Sequence, residues 1–186
     1  MDGRLDRRGA LFGLAAAGLA SGWAVPVVAA PADGETLPLW APRVLSTREA
    51  RTLAAACEAI LPATDTPGAI AAGVPQFIDR TLADWSEPAD VARLRAGLAR
   101  MDADAKMAFG SAFAGLTDAQ QASLLTTYDG EAAGQRPHFF TLLRDLTTTG
   151  YFTSEPGATK ALRYDPAPGA YRGCVPLAEI GRAWAT

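Results

Sequence analysis

Along much of the chain, apolar residues recur every three or four positions, in stretches separated by short runs rich in proline, glycine and acidic side chains. Leu53, Ala56, Cys57, Ile60 and Leu61 fall on one helical face. Ser46 and Glu49 in front of them form a capping box, in which each side chain can satisfy a backbone N–H that the first helical turn leaves free. Pro62 marks the end of this helix, and Asp65-Thr66-Pro67-Gly68 predicts a turn. Pro75 suits the first position of a second helix, with Phe77, Ile78, Thr81, Leu82 and Trp85 on its apolar face. Pro88 opens a third, carrying Val91, Leu94, Leu98 and Met101 in step and continuing toward Phe109 and Phe113. Thr117 with Gln120 is a second capping box, leading into Leu124, Leu125 and Tyr128. Pro137 opens a fifth helix with Phe139, Phe140, Leu142, Leu143 and Leu146, and Gly150 is placed to stop it.

After Gly150 the pattern changes. Residues 151–186 hold Pro156, Pro166, Pro168 and Pro176 among several glycines, with Tyr151, Phe152, Tyr164, Tyr171 and Trp184 spread between them. Large rings gain too much from burial to belong to a solvated linker, so this segment is expected to be an ordered tail lying on its own helices or on a partner. No series of strands and no internal repeat is visible. The expected fold is all-α: about five helices in a compact bundle, forming one domain over residues 45–186 that includes the tail.

The first residues are of another kind. Arg4, Arg7 and Arg8 precede a charge-free stretch from Gly9 to Ala32, and the small residues around Val28, Ala29, Ala30 and Ala32 offer a cleavage site. Residues 1–32 read as a bacterial export signal, and the Arg7-Arg8 pair favours the twin-arginine route, which carries folded cargo. Asp6 stands where that pattern usually has Ser or Thr, and the aromatic expected at position 10 is displaced to Phe12. Residues 33–44, punctuated by Pro38 and Pro42, read as an extended arm. A retained N-terminal anchor is the alternative to cleavage. Export is expected to place the protein in the periplasm. There, an even pair of cysteines, Cys57 and Cys174, suggests a disulfide clamping the tail to the first helix.

Composition excludes several classes. The formal net charge of the full chain is −3, and its 17 basic residues form no stripe, which argues against a nucleic-acid partner. His138 is the single histidine, so histidine-cluster metal sites are excluded; it sits near a helix N-terminus, where the dipole disfavours its charged form, and a surface or interface role is expected for it over catalysis. There is no C-x-x-C-H for haem, no four-cysteine set for an iron–sulfur cluster, no G-x-G-x-x-G after a strand and no P-loop. Asp102 and Asp104, two apart, do not share a helical face, and Asp79, Asp84, Glu87 and Asp90 read as a solvated surface. Redox chemistry, if any, is therefore expected on another chain.

Three blocks carry a family resemblance. They are Ile60-Leu61-Pro62-Ala63-Thr64-Asp65-Thr66-Pro67-Gly68-Ala69 with Ala72-Gly73-Val74 and Phe77-Ile78-Asp79; Gly150-Tyr151-Phe152-Thr153-Ser154-Glu155; and Pro168-Gly169-Ala170-Tyr171-Arg172-Gly173-Cys174 with Ala183-Trp184. In order and spacing, from about Leu45 to Trp184, the chain resembles the gluconate 2-dehydrogenase subunit 3 family. The Gly150–Glu155 block and the spacing of the Cys174 segment are most similar to its lactose and glucoside 3-dehydrogenase branch. The resemblance implies a non-catalytic small, or gamma, subunit that binds no cofactor itself. Its implied partners are a glucose–methanol–choline-type flavoprotein large subunit holding FAD, a cytochrome c subunit with haem c, and the twin-arginine translocase that exports the folded pair. Tyr151, Phe152, Tyr171 and Trp184, aromatics on a stiff Pro/Gly backbone, are the expected contacts to the large subunit. Two other classes stay open at this point: an independent periplasmic enzyme using His138 with a carboxylate, and a helical protein that binds a small ligand.

Overall fold

The computed structural model describes residues 40–167, 169 and 174–185. The leader with Arg7 and Arg8, the arm as far as residue 39, and Tyr171 lie outside the described residues. Five long helices make the body: α1 (Thr47–Ile60), α2 (Val74–Asp84), α3 (Pro88–Phe109), α4 (Asp118–Gly134) and α5 (Phe139–Phe152). A 3-10 turn at Phe113–Gly115 joins α3 to α4, and a π-helical turn at Gly157–Ala161 and a one-turn helix α6 (Leu177–Ile180) follow α5. No strand occurs among the described residues; a single parallel bridge pairs Arg163 with Trp184. None of the described helices is long and apolar enough to cross a membrane.

Both capping boxes form as the sequence predicts. Ser46 accepts from the Glu49 N–H while Glu49 reaches back to Ser46, and Thr117 and Gln120 do the same at the start of α4. The helices assemble around α1 and α5, each of which packs against the other and against α2, α3 and α4. Leu53, Ile78, Leu94, Leu98, Met101, Phe113, Tyr128 and Leu143 are fully buried between them. Each such side chain contributes about 1.5–3 kcal/mol through the water its apolar surface leaves. Tyr128 meets Phe139 edge to face, with ring centroids 5.3 Å apart, locking α4 to the start of α5.

Four expectations change. Gly150 does not stop α5, which runs on to Phe152. The glycine is needed because α2 crosses there: a Cβ on residue 150 would lie 2.6 Å from the ring of Phe77. Asp79 is not on a solvated face. Its carboxylate is 1% exposed and accepts the backbone N–H groups of Arg43 (2.7 Å), Val44 (3.2 Å) and Leu45 (3.3 Å), fastening the entering chain to α2. Cys57 and Cys174 form no bridge, since Cys57 is sealed in the bundle with its Sγ 3.4 Å from Thr147 Oγ1 while Cys174 is exposed. His138 is buried rather than superficial. It is the N-cap of α5, its Nδ1 accepting the Phe140 N–H at 3.2 Å.

Candidate docking surface

The loop between α1 and α2 is shaped from behind by two side chains. Glu58, in the last turn of α1, accepts the Ala63 N–H on Oε1 (3.2 Å) and the Ile70 N–H on Oε2 (2.8 Å), so one carboxylate closes both ends of the loop. Gly68 lies flat against that carboxylate, where any Cβ would collide with Oε1. From α5, the hydroxyl of Tyr151 donates to the Pro67 carbonyl at 2.7 Å and lies 3.3 Å from Thr66 Oγ1. Backbone bonds from Ala69 N–H to Leu61 and from Thr64 N–H to Thr66, both 2.9 Å, complete the frame. With its polar groups tied inward, the loop presents Pro62, Ala63, Thr64 and Asp65 to solvent on a backbone that has little freedom left to lose.

The end of α5 is stitched just as closely. Ser154 Oγ donates to the Tyr151 carbonyl (2.6 Å) and accepts from the Gly157 N–H (3.1 Å), which turns the chain into the π-helical turn. Leu162 N–H then closes that turn on the Gly157 carbonyl at 2.9 Å. The C-terminal segment returns alongside: Arg163 N–H donates to Ala183 (2.8 Å) and Ala185 N–H to Arg163 (2.9 Å). The Arg163 guanidinium sits 4.2 Å from the centroid of the Trp184 ring, and Arg182 donates to the Lys160 carbonyl.

Between the loop and this second assembly lies a cleft of about 470 Å³, lined by Leu61, Pro62, Asp65, Phe152, Lys160 and Arg182 among others. A shallower depression of about 410 Å³, bordered by Arg163 and Tyr164, shares Arg182 with it. The first two sequence blocks, 60 positions or more apart along the chain, thus meet with the C-terminal segment at one place. Of the aromatics expected to face a partner, Phe152 and Trp184 are exposed at 37% and 40%, whereas Tyr151 is 4% exposed. Tyr151 holds the loop from inside through its hydroxyl on Pro67, and only a small part of it lines the cleft. Other exposed large apolar residues, Trp85 and Met107, stand near opposite ends of α3, roughly 30 Å apart by helical rise, and do not form one patch with each other.

The remaining polar groups are engaged in holding the fold. Asp102, 4% exposed, accepts from Arg48 Nε (2.6 Å), Thr52 Oγ1 (3.0 Å) and the Phe113 N–H (3.1 Å). Arg100 grips Glu131 through two bonds of 2.7 and 2.9 Å and stacks over Tyr128, whose hydroxyl donates to Asp104 at 2.8 Å. Burial, then the bond to Asp104, pushes the Tyr128 phenol well above its ordinary value. His138 Nε2 lies 3.6 Å from Glu131. Burial pushes the Cys57 thiol up to about 12, which keeps it a neutral thiol and a poor nucleophile at physiological pH. Periodicity carries no sign of Glu58 or Asp102 as builders of structure, because their partners lie 5 and 12, and 11 to 54, positions away. No cluster of three or more His, Cys, Asp or Glu suited to a metal occurs among the described residues.

Comparison with known proteins bears on what such a surface is for. No curated protein and no solved structure matches the chain. The sequence profile of gluconate 2-dehydrogenase subunit 3 matches residues 47–169, taking in all five long helices, the loop after α1 and the π-helical turn. The chain therefore belongs to the gluconate 2-dehydrogenase subunit 3 family, whose name makes it one subunit of a multi-subunit dehydrogenase.

Proposed function

We propose that the chain is the small, gamma subunit of an exported sugar or sugar-acid dehydrogenase. In this reading it binds the folded flavoprotein large subunit of the glucose–methanol–choline type, carries it through the twin-arginine translocase and stabilises it in the periplasm. FAD belongs to that large subunit, and haem c to a cytochrome subunit that takes the electrons. The observation that supports this best is the preorganised surface at which the Leu61–Ile70 loop, the end of α5 and the C-terminal segment meet, each fixed by hydrogen bonds that leave exposed side chains on a stiff backbone. Such a surface lowers the ordering cost of association.

The experiment follows both chains. With Arg7 and Arg8 replaced by Lys, this subunit and its flavoprotein should remain together in the cytoplasm, while the wild-type pair reaches the periplasm. Delivery of the flavoprotein with this subunit still in the cytoplasm would remove the escort role.

A further inference from the structure

We infer that the cleft between the Leu61–Ile70 loop and the π-helical turn receives an extended segment of the flavoprotein large subunit, one in which an apolar side chain lies next to a carboxylate. This rests on the function proposed above and specifies its contact.

Three observations assign the occupant. Leu61, Pro62, Phe152 and Ala161 give the cleft apolar surface, beside Thr64, Thr66 and Tyr151. One wall is cationic, with Lys160 and Arg182, and Arg163 stands just beyond Arg182. Those cations differ from most arginines of the body, although Arg80 on α2 likewise has no carboxylate partner among the described residues. Arg43, Arg48, Arg93, Arg95, Arg100 and Arg144 each pair with a carboxylate of this chain, at 2.6–2.9 Å. Lys160 and Arg182 have no such pair among the described residues; Arg182 donates to the Lys160 carbonyl, and that contact leaves both positive charges uncompensated. Asp65 lines the opposite wall, accepting from the Thr64 hydroxyl at 3.0 Å. An entering carboxylate is drawn to the Lys160–Arg182 wall and repelled from Asp65, so the cleft reads orientation as well as composition.

The test uses the full chain co-expressed with the flavoprotein large subunit of the same organism. Lys160→Glu with Arg182→Glu should lower recovery of the complex at least about tenfold. Lys106→Glu, on the far turn of α3, should leave recovery unchanged. Because Arg182 also holds the tail, Lys160→Glu alone is the second variant: its side chain is exposed and donates no hydrogen bond here, so it should weaken binding with helical circular dichroism intact. A photo-crosslinking residue at Thr64 should capture a large-subunit peptide with Asp or Glu beside an apolar residue. Wild-type recovery from the charge-reversed variants, a crosslink to a second copy of this chain, or gluconate binding to the isolated subunit that the reversal abolishes would each overturn the assignment while leaving the escort role standing. Failure of the wild-type chain to hold the flavoprotein at all would overturn both.

Discussion

The hydroxyl of Tyr151 donates to the carbonyl of Pro67 at 2.7 Å, joining the end of α5 to a loop 84 residues earlier in the chain. Removing only that hydroxyl, in Tyr151→Phe, should cost about 1 kcal/mol and speed hydrogen exchange in the Leu61–Ile70 loop. Tyr151→Ala also empties the space of a buried ring and should cost about 3–5 kcal/mol, with loss of helical signal on mild heating. Phe152→Ala and Trp184→Ala, by contrast, should leave the isolated subunit folded. Equal stability losses for Tyr151→Phe and Trp184→Ala in urea titrations would contradict this division.

Glu58 makes a separable prediction. Glu58→Ala frees the Ala63 and Ile70 N–H groups from a charged acceptor, a loss of about 1.5–3 kcal/mol. Gln can still accept one of the two bonds, so Glu58→Gln should recover part of that loss. Limited proteolysis reads it directly: cleavage between Pro62 and Pro67 should rise in the Ala variant and less in the Gln variant.

The two cysteines should report their surroundings in a single alkylation experiment. In the native protein at pH 8, one thiol, Cys174, should react within minutes and Cys57 should not. Denaturation without reductant should expose both. A native, unreduced sample that yields no thiol after denaturation would restore the bridge that the structure lacks.

Acid should weaken the bundle. Glu131 is held below the ordinary carboxylate range by the hydrogen bonds from Arg100, and Glu49 also lies below it because bonds from Arg95 and Ser46 outweigh the upward push of burial. A carboxyl with a lowered folded-state pKa stabilises above its unfolded value, about 4.3, and that contribution disappears as pH falls through the folded value. The melting temperature should therefore be level from pH 7 to about 5 and drop below about pH 4. Glu131→Gln should be less stable at pH 7 and lose less on acidification. A steeper acid loss in Glu131→Gln than in the wild type would refute the linkage.

Much of the architecture was legible from periodicity and caps. Ser46 with Glu49 and Thr117 with Gln120 announce helix starts because their partners lie three residues away, within reach of any reading of the chain. What escaped depends on distant partners. Asp79 reads as surface because carboxylates normally are, yet the three N–H groups it accepts come from residues 34–36 positions earlier. Gly150 has the composition of a helix stop, and only the position of Phe77 on a crossing helix shows that it is a contact. Cys57 and Cys174 share a chain and an expected compartment, which carries no information on distance. The surface was half visible: the blocks were recognisable, but their convergence on Lys160 and Arg182 needs the return of the C-terminal segment past the π-helical turn.

The anchoring of the entering chain by Asp79 has an evolutionary corollary. Asp79 recognises main-chain N–H groups at residues 43–45, which nearly every amino acid supplies alike. The grip itself is therefore blind to the side chains of that stretch, and what restrains them is separate: Leu45 is buried in the core and Arg43 pairs with Asp84. Proline is the one residue this grip excludes, at each of the three positions, because it brings no hydrogen to offer. Among related chains, the footprint of the anchor would be an acidic residue at the position of Asp79 facing a tripeptide without proline whose third residue stays apolar.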